Sequence, residues 1–389
     1  MRTAIDMRVL IGACLLLLGC EGATVHEARD SGTAGDTGAD SQEGGEASGG
    51  AAGTGGTAGT GGAGGTSGTG GTSGTGGTSG TGGTGTGGTG GTGTGGTGGA
   101  AGTGGTGGGG CAAQCTVELV PDTFAVVALA LDNTDVYFMS FASLARVSKA
   151  GGSPAAVTQG DFFPPLALDA THLYTFRDAD RRLVKIHKVG AASADLSPPE
   201  TGTPQGLVVV GGYAYWVAYP GGLRRVAVAG GSVEALSGPT DYPVGLAVDG
   251  THAYFSSLMG QSISRVPTGG GTTETLASAL LAPNHLALSG ATLYYADVNT
   301  IQAIPKQGGQ IRVVTDALPT SLVVNDTHAY WGSSTARHVA RAPLSGGAAE
   351  LVAKDLNTPN SLALDDTHVY FVDEGAVHVA PKGCCVPQP

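Results

Sequence analysis

Charge is scarce in this chain: Asp, Glu, Lys and Arg together make up 13% of its 389 residues. What charge there is leans acidic, 31 carboxylates against 19 Lys and Arg, for a formal net charge of −12. A surface of that sign repels phosphate backbones, so no nucleic-acid partner is expected. Aromatic residues are also few, 5% with only two Trp. The G-x-S-x-G, H-E-x-x-H and P-loop lysine patterns are missing, which removes the common signatures of a nucleophile elbow, a zinc protease and a phosphate cradle. With none of them present, a non-catalytic role is expected. No cofactor and no metal site are expected either. The first strongly apolar run, Val9 to Leu18, is about ten residues and falls well short of the roughly 20 that a membrane-spanning helix needs.

That short run has a use of its own. Arg2 and Arg8 precede it, and it closes on Leu17, Leu18, Gly19 and Cys20, so residues 1–19 read as an export signal. Met7 offers a second, more compact start. The Leu-Leu-Gly-Cys ending resembles the lipobox of bacterial lipoproteins, and the resemblance implies cleavage before Cys20 and a lipid on its thiol. The expected partner is then a membrane, through that anchor. Glu21 follows where the inner-membrane retention rule of that family asks for Asp, so an outer-membrane or cell-surface address is expected. A plain signal peptide with a chance Cys is the competing reading.

Residues 20–110 form the second piece. Seven acids and one base lie between Glu21 and Glu46, and from Ser31 to Gly110 the chain is nearly all Gly, Thr, Ser and Ala. Nothing there can offset the entropy of ordering the backbone, so a disordered linker is expected. Some 80 such residues span roughly 50 Å end to end, enough to hold a domain away from a membrane. The threonines leave two readings, a bare spacer or a carrier of O-linked sugar.

Residues 111–389 repeat themselves, and the repeat is the strongest signal in the chain. The segments "ALALDNTDVYF", "PLALDATHLYT", "GLVVVGGYAYW", "GLAVDGTHAYF", "HLALSGATLYY", "SLVVNDTHAYW" and "SLALDDTHVYF" align on Tyr137, Tyr174, Tyr215, Tyr254, Tyr294, Tyr330 and Tyr370, at a period close to forty. Inside one period the pattern alternates every second residue in short runs separated by Gly-rich turns, which reads as four strands. The fold expected is all-β, a seven-bladed β-propeller of four-stranded blades. In the first strand of each blade one position stays small: Ala130, Ala167, Val208, Ala247, Ala287, Val323 and Ala363. We read it as taper toward a narrow axis.

The seventh repeat stops one strand short, and "CTVELV" at Cys115 to Val120 resembles the missing piece. An N-terminal strand would complete the last blade and leave the ring without an open edge. A ring closed this way is expected to be a monomer. Closure would bring Cys111 and Cys115 beside Cys384 and Cys385, in an exported chain where thiols oxidise. Disulfides between the two pairs would seal the ring; a Cys384–Cys385 bond or a metal site are the alternatives.

The repeats resemble the NHL, YWTD and TolB-like propeller families, with "YFVD" at Tyr370 to Asp373 and "YYAD" at Tyr294 to Asp297 nearest to YWTD itself. Many rings of those families have six blades, and the seven-bladed virginiamycin B lyase type is the closer match in number. That last resemblance implies looking for a metal-assisted lyase or hydrolase site, with His285, Asp297, His338 and Glu374 as candidates. No stretch reproduces its catalytic motif.

The recurring His172, His252, His328 and His368 in D/N-x-T-H-x-Y are too regular for one metal site, since equivalent positions sit on different blades. They and Asp132, Asp169, Asp249 and Asp365 are expected to order a turn on one face. Binding is expected on the opposite face, whose loops escape the repeat. The candidates there are Arg177, Asp178, Trp216, Tyr219, Met259, His285, Asp297, Arg337, His338, Asp373 and Glu374. Aromatic and polar groups side by side suit an envelope glycan or a protein partner.

Overall fold

The computed structural model describes residues 115–190 and 192–383. The signal at 1–19, Cys20, the linker at 20–110, and Cys111, Cys384 and Cys385 lie outside them. Seven four-stranded antiparallel sheets follow one another along the chain. Blade 4 is representative: strand a is Pro243–Val248, b is His252–Ser257, c is Ser262–Pro267 and d is Glu274–Ala277. Blade 7 supplies a to c from Asn360–Leu364, His368–Asp373 and Ala376–Pro381, and its strand d is the N-terminal Val117–Val120. That strand lies antiparallel to strand c, Val117 opposite Val379 and Val120 opposite Val377. The ring is therefore closed as expected. Among the described residues the one helical element is a single 3-10 turn, Asp122–Phe124.

The repeat acquires a physical meaning from the register. Each small residue of strand a sits directly opposite the aligned tyrosine of strand b, from Ala130 opposite Tyr137 to Ala363 opposite Tyr370. In five blades the next residue outward, on strand c, is long and basic: Arg146, Lys185, Arg225, Arg265 and Arg341. Side-chain size thus grows with distance from the axis, which is what wedge-shaped blades require. The hydrophobic core is correspondingly divided into seven clusters, each between neighbouring blades; one joins Phe138 of blade 1 to Tyr370 of blade 7.

On the lower face, which carries the a–b and c–d turns, the D-x-T-H segment does two jobs. Asp249 Oδ1 accepts the N–H groups of Thr251 and His252 at 2.8 and 2.9 Å, holding the turn. The other oxygen reaches the next blade, where Lys306 Nζ stands 2.9 Å away. Lys188 clasps Asp132 at 2.8 Å, and Lys149 clasps Asp365 at 3.1 Å across the closure between blades 7 and 1. The aligned tyrosine donates its hydroxyl to the same carboxylate, Tyr174 to Asp169 at 2.6 Å and Tyr370 to Asp365 at 2.9 Å. Burial would raise these carboxyl pKa values, but the hydrogen bonds and ammonium groups outweigh it. Asp169 is held at about 2, and Asp132, Asp249 and Asp365 lie further down. The histidines face their own turn: Nδ1 of His172, His252, His328 and His368 lies 2.7 to 3.0 Å from the hydroxyl of the preceding Thr.

Candidate functional site

The upper face is built from b–c and d–a loops, and it differs from the lower in backbone chemistry. Among the described residues eleven non-glycine residues have positive φ, and by their place in the chain all of them fall in upper-face loops or at the upper start of strand a. They include Arg181, Tyr242, Gln261, His285, Arg337, Ser361 and Glu374. The lower-face turns reach the same region with glycine, as at Gly151, Gly230, Gly270, Gly308 and Gly346. Glycine adopts it freely, whereas a side chain makes it cost on the order of 1 kcal/mol or more. The upper loops keep residues that their backbone disfavours, which points to selection for side chains there.

Several candidates are committed to that face's own framework. Arg177 pairs with Asp195 and, at 3.3 Å, with Asp180; Arg181 pairs with Asp178 at 2.8 Å and lies over the Phe163 ring. Blade 2 thus neutralises its charges internally. Asp297 is 5% exposed and accepts the N–H groups of Asn299 and Thr300, while Asp373, at 7%, accepts those of Asn357 and Thr358. Arg337 donates to the Leu356 carbonyl and to Asn357 Oδ1 at 2.8 and 2.7 Å. Arg337 and Asp373 tie their b–c loops to the d–a loop at 354–359, whereas Asp297 braces its own b–c loop.

Trp216 departs from the expectation of a surface aromatic. It is fully buried between blades 2 and 3, and its indole N–H donates to Glu200 at 3.0 Å, beside an Arg224–Glu200 ion pair. Its position follows the aligned tyrosine, and both faces of strand b are covered by neighbouring blades, so Ala214 to Ala218 are all buried. What is left open to solvent is Tyr219, packed 4.8 Å from Tyr242, together with Met259 and Glu374. His285 and His338 are half-buried. Desolvation lowers both pKa values, His285 to about 4, so His285 is neutral at pH 7. Beside it, Asn284 Oδ1 is buried without a hydrogen-bond partner among the described residues.

Two concavities flank these loops. A cleft of about 300 Å³ between blades 1 and 2 is lined by Gln159, Asp161, Arg177 and Ser193, with its guanidinium already paired. A larger space of about 710 Å³ at the lower mouth is lined by the clasp residues Asp132, Lys149 and Asp365. Among the described residues no group of three or more His, Cys, Asp and Glu is gathered closely enough to hold a metal ion. The four residues singled out for lyase chemistry, His285, Asp297, His338 and Glu374, are therefore not brought together as a donor set.

No family model matches the sequence, and no curated protein matches it. Solved structures do. A streptogramin B lyase superposes with a TM-score of 0.58 at 13% identity, over 68% of this chain and 96% of the lyase. The computationally designed Ika8 protein gives a TM-score of 0.51 at 12% identity, over 68% and 99%. What is shared is the propeller fold. A chain of a nidogen/laminin complex is similar over 55% of this chain and 90% of its own at 16% identity, with a TM-score of 0.44, too low to carry an argument.

Sequence reasoning missed the clasp lysines. Lys149, Lys188 and Lys306 share one repeat position, just after strand c, and each follows a blade whose a–b turn carries Asp. That pairing one period apart is visible once blades are aligned by strand rather than by tyrosine. It also missed Leu281, Val298 and Leu318, exposed loop residues with no polar group to draw attention.

Proposed function

We propose that the chain is a lipid-anchored cell-envelope protein, at the outer membrane or cell surface, and that its propeller is a non-catalytic binding module for an envelope glycan or protein. One observation supports the reading most. Side chains in costly backbone conformations and large exposed apolar residues both concentrate on the upper face. The described chain, in contrast, enters and leaves on the lower one. Strand Val117–Val120 begins beside Val379, near the end of strand c that is joined to the lower turn, and Gly383 follows the same end. A tether attached there leaves the upper face free.

The lyase similarity raises a metal-assisted lyase or hydrolase as the second reading, and the scatter of its candidate residues argues against it. A seam between Cys111 and Cys115 on one side and Cys384 and Cys385 on the other remains our proposal. Non-reducing peptide mapping that finds each pair bonded internally would remove it.

The test of function is a thermal-shift screen of the full chain against peptidoglycan fragments, envelope glycans, divalent metals and a chelator. A ligand of the native ring raises the midpoint by mass action. A glycan-dependent shift supports binding; a metal-dependent shift reversed by chelator would overturn it in favour of catalysis. For the anchor, labelled palmitate should attach to the wild type and not to Cys20→Ala.

A further inference from the structure

We propose that the upper face over blades 3 to 6 docks a protein segment that presents apolar side chains flanked by Lys or Arg. This deepens the proposed binding role and rests on it. Among the described residues, five of the eleven large exposed hydrophobic residues lie on upper loops from blade 3 to the entry of blade 6: Tyr219, Met259, Leu281, Val298 and Leu318, each 39 to 50% exposed. Elsewhere such positions hold Gly, Asn or Asp because turns favour them. Single exposed apolar residues need no explanation, but a run along one rim does.

The loops that carry them are hydrogen-bonded to one another. The Thr240 N–H donates to the Gly221 carbonyl at 2.6 Å, and the Met259 N–H donates to the Asp241 carbonyl at 3.3 Å. Leu280 N–H donates to Gln261, and Ala317 N–H to Asn299, at 2.9 and 2.8 Å. Tyr219, Met259 and Leu281 therefore ride on one braced set of loops and Val298 and Leu318 on another, and both lose little freedom when covered, which favours binding.

The chemistry of the occupant follows from what the rim offers. Tyr219 alone offers a sugar ring a flat surface and a hydroxyl; the other four side chains are aliphatic or thioether and offer neither. Apolar side chains of a peptide would lose their water against them. Asp241 and Asp316 are exposed on the same stretch and enter no ion pair among the described residues. Of the nearby cations, Arg224 is neutralised by Glu200, and Arg337, held by the neutral Leu356 carbonyl and Asn357 amide, is one positive charge against these two carboxylates. The uncommitted charge is thus negative, and a basic partner complements it. A second copy of this chain would bring like charges together.

Fluorescence anisotropy with the full chain tests this, using labelled 12-residue peptides of alternating Leu and Lys, Leu and Glu, or Ser and Lys. The Leu/Lys peptide should bind at least tenfold more tightly than the other two. Met259→Ser with Leu281→Ser should weaken it at least tenfold, and Asp241→Asn with Asp316→Asn severalfold, with a shallower dependence on salt. Val189→Ser, an exposed apolar site on the lower face, should leave it unchanged; circular dichroism checks that every variant is folded. Equal binding of all three peptides, no binding, or equal weakening by Val189→Ser overturns the proposal. Hydrogen exchange separates its failure from that of the wider reading. Peptidoglycan fragments protecting residues 219–222 and 258–261, with no peptide bound, would leave the binding face standing and sink the peptide. Peptide binding untouched by the rim variants would sink both.

Discussion

The clasp between blades 7 and 1 makes the sharpest stability prediction, because the ring contains its own control. Asp365 Oδ1 accepts the N–H groups of Thr367 and His368 at 2.9 and 2.8 Å, and Oδ2 takes the Tyr370 hydroxyl and the Lys149 ammonium. Asp365→Asn keeps the turn, as blade 6 demonstrates: Asn325 there accepts the equivalent N–H groups at 3.0 and 2.7 Å. What it loses is the charge, and it turns an amide NH₂ toward an ammonium. The side chains of Lys149 and Asp365 are 16% and 23% exposed, between the surface and buried regimes. An exposed pair contributes up to about 1 kcal/mol, and losing one partner of a buried pair costs about 3 to 5. We expect Asp365→Asn to cost about 2 kcal/mol, Lys149→Met about 1, and the pair to couple by about 1 in a double-mutant cycle. Asp169 is the control, since the clasp position beyond it is Val228. Asp169→Asn should cost under about 1 kcal/mol, the net worth of an ordinary hydrogen bond. Guanidinium unfolding at pH 7 can be followed by the fluorescence of Trp216 and Trp331, both fully buried. Coupling below about 0.3 kcal/mol, which is within the additivity error for independent sites, or an equal loss from Asp169→Asn, would refute the clasp.

Two further predictions concern pH and the tryptophans. Desolvation holds His285 at about 4 in the fold against an ordinary value near 6.5, so its unfolded form takes up a proton first. Its contribution is present above about pH 6.5 and is lost as pH falls toward 4, by up to about 3 kcal/mol. His338 and His378 are shifted the same way by burial. The clasp carboxylates Asp132, Asp249 and Asp365, all shifted well down, add a second loss that begins near pH 4 and grows as pH falls further. His285→Asn, which tolerates positive φ, should flatten the first limb of a stability–pH curve. The two tryptophans occupy equivalent positions, but Trp216 donates to Glu200 whereas Trp331 Nε1 is buried without a partner among the described residues. Trp216→Phe should cost about 1 to 3 kcal/mol by leaving a buried carboxylate short of a donor. Trp331→Phe should cost less in the same denaturation assay, because it also removes an unsatisfied N–H.

The fold was legible because a propeller repeats its constraints. The taper from Ala363 through Tyr370 imposes a size at each radius, and seven copies of that row survive divergence elsewhere. The closing strand was legible from a deficit, a last repeat with three strands and a spare strand-like segment at Cys115 to Val120. The clasp was half legible. An Asp before a turn announces its bond to local N–H groups, but its second oxygen serves Lys149, which is far away in sequence and adjacent only in the closed ring.

The site was less legible because polar residues look functional in a sequence whether or not they are free. Asp297, Arg337 and Asp373 lie where binding was expected, and their hydrogen-bonding capacity is largely spent, Asp297 in bracing its own loop and the other two in joining one loop to the next. Trp216 was drawn to the surface by its neighbour Tyr219, although burial on both faces of the strand runs unbroken from Ala214 through Ala218 and only Tyr219, at the strand's end, reaches the open loop. Aliphatic loop residues carry the opposite bias: Leu281 and Val298 read as core until the strands on either side are placed. A repeat constrains what every blade needs, and a ligand needs only some blades. The upper rim therefore has to be judged by what its side chains are not already bonded to, which is why the argument there rests on Met259, Leu281 and the two exposed acids.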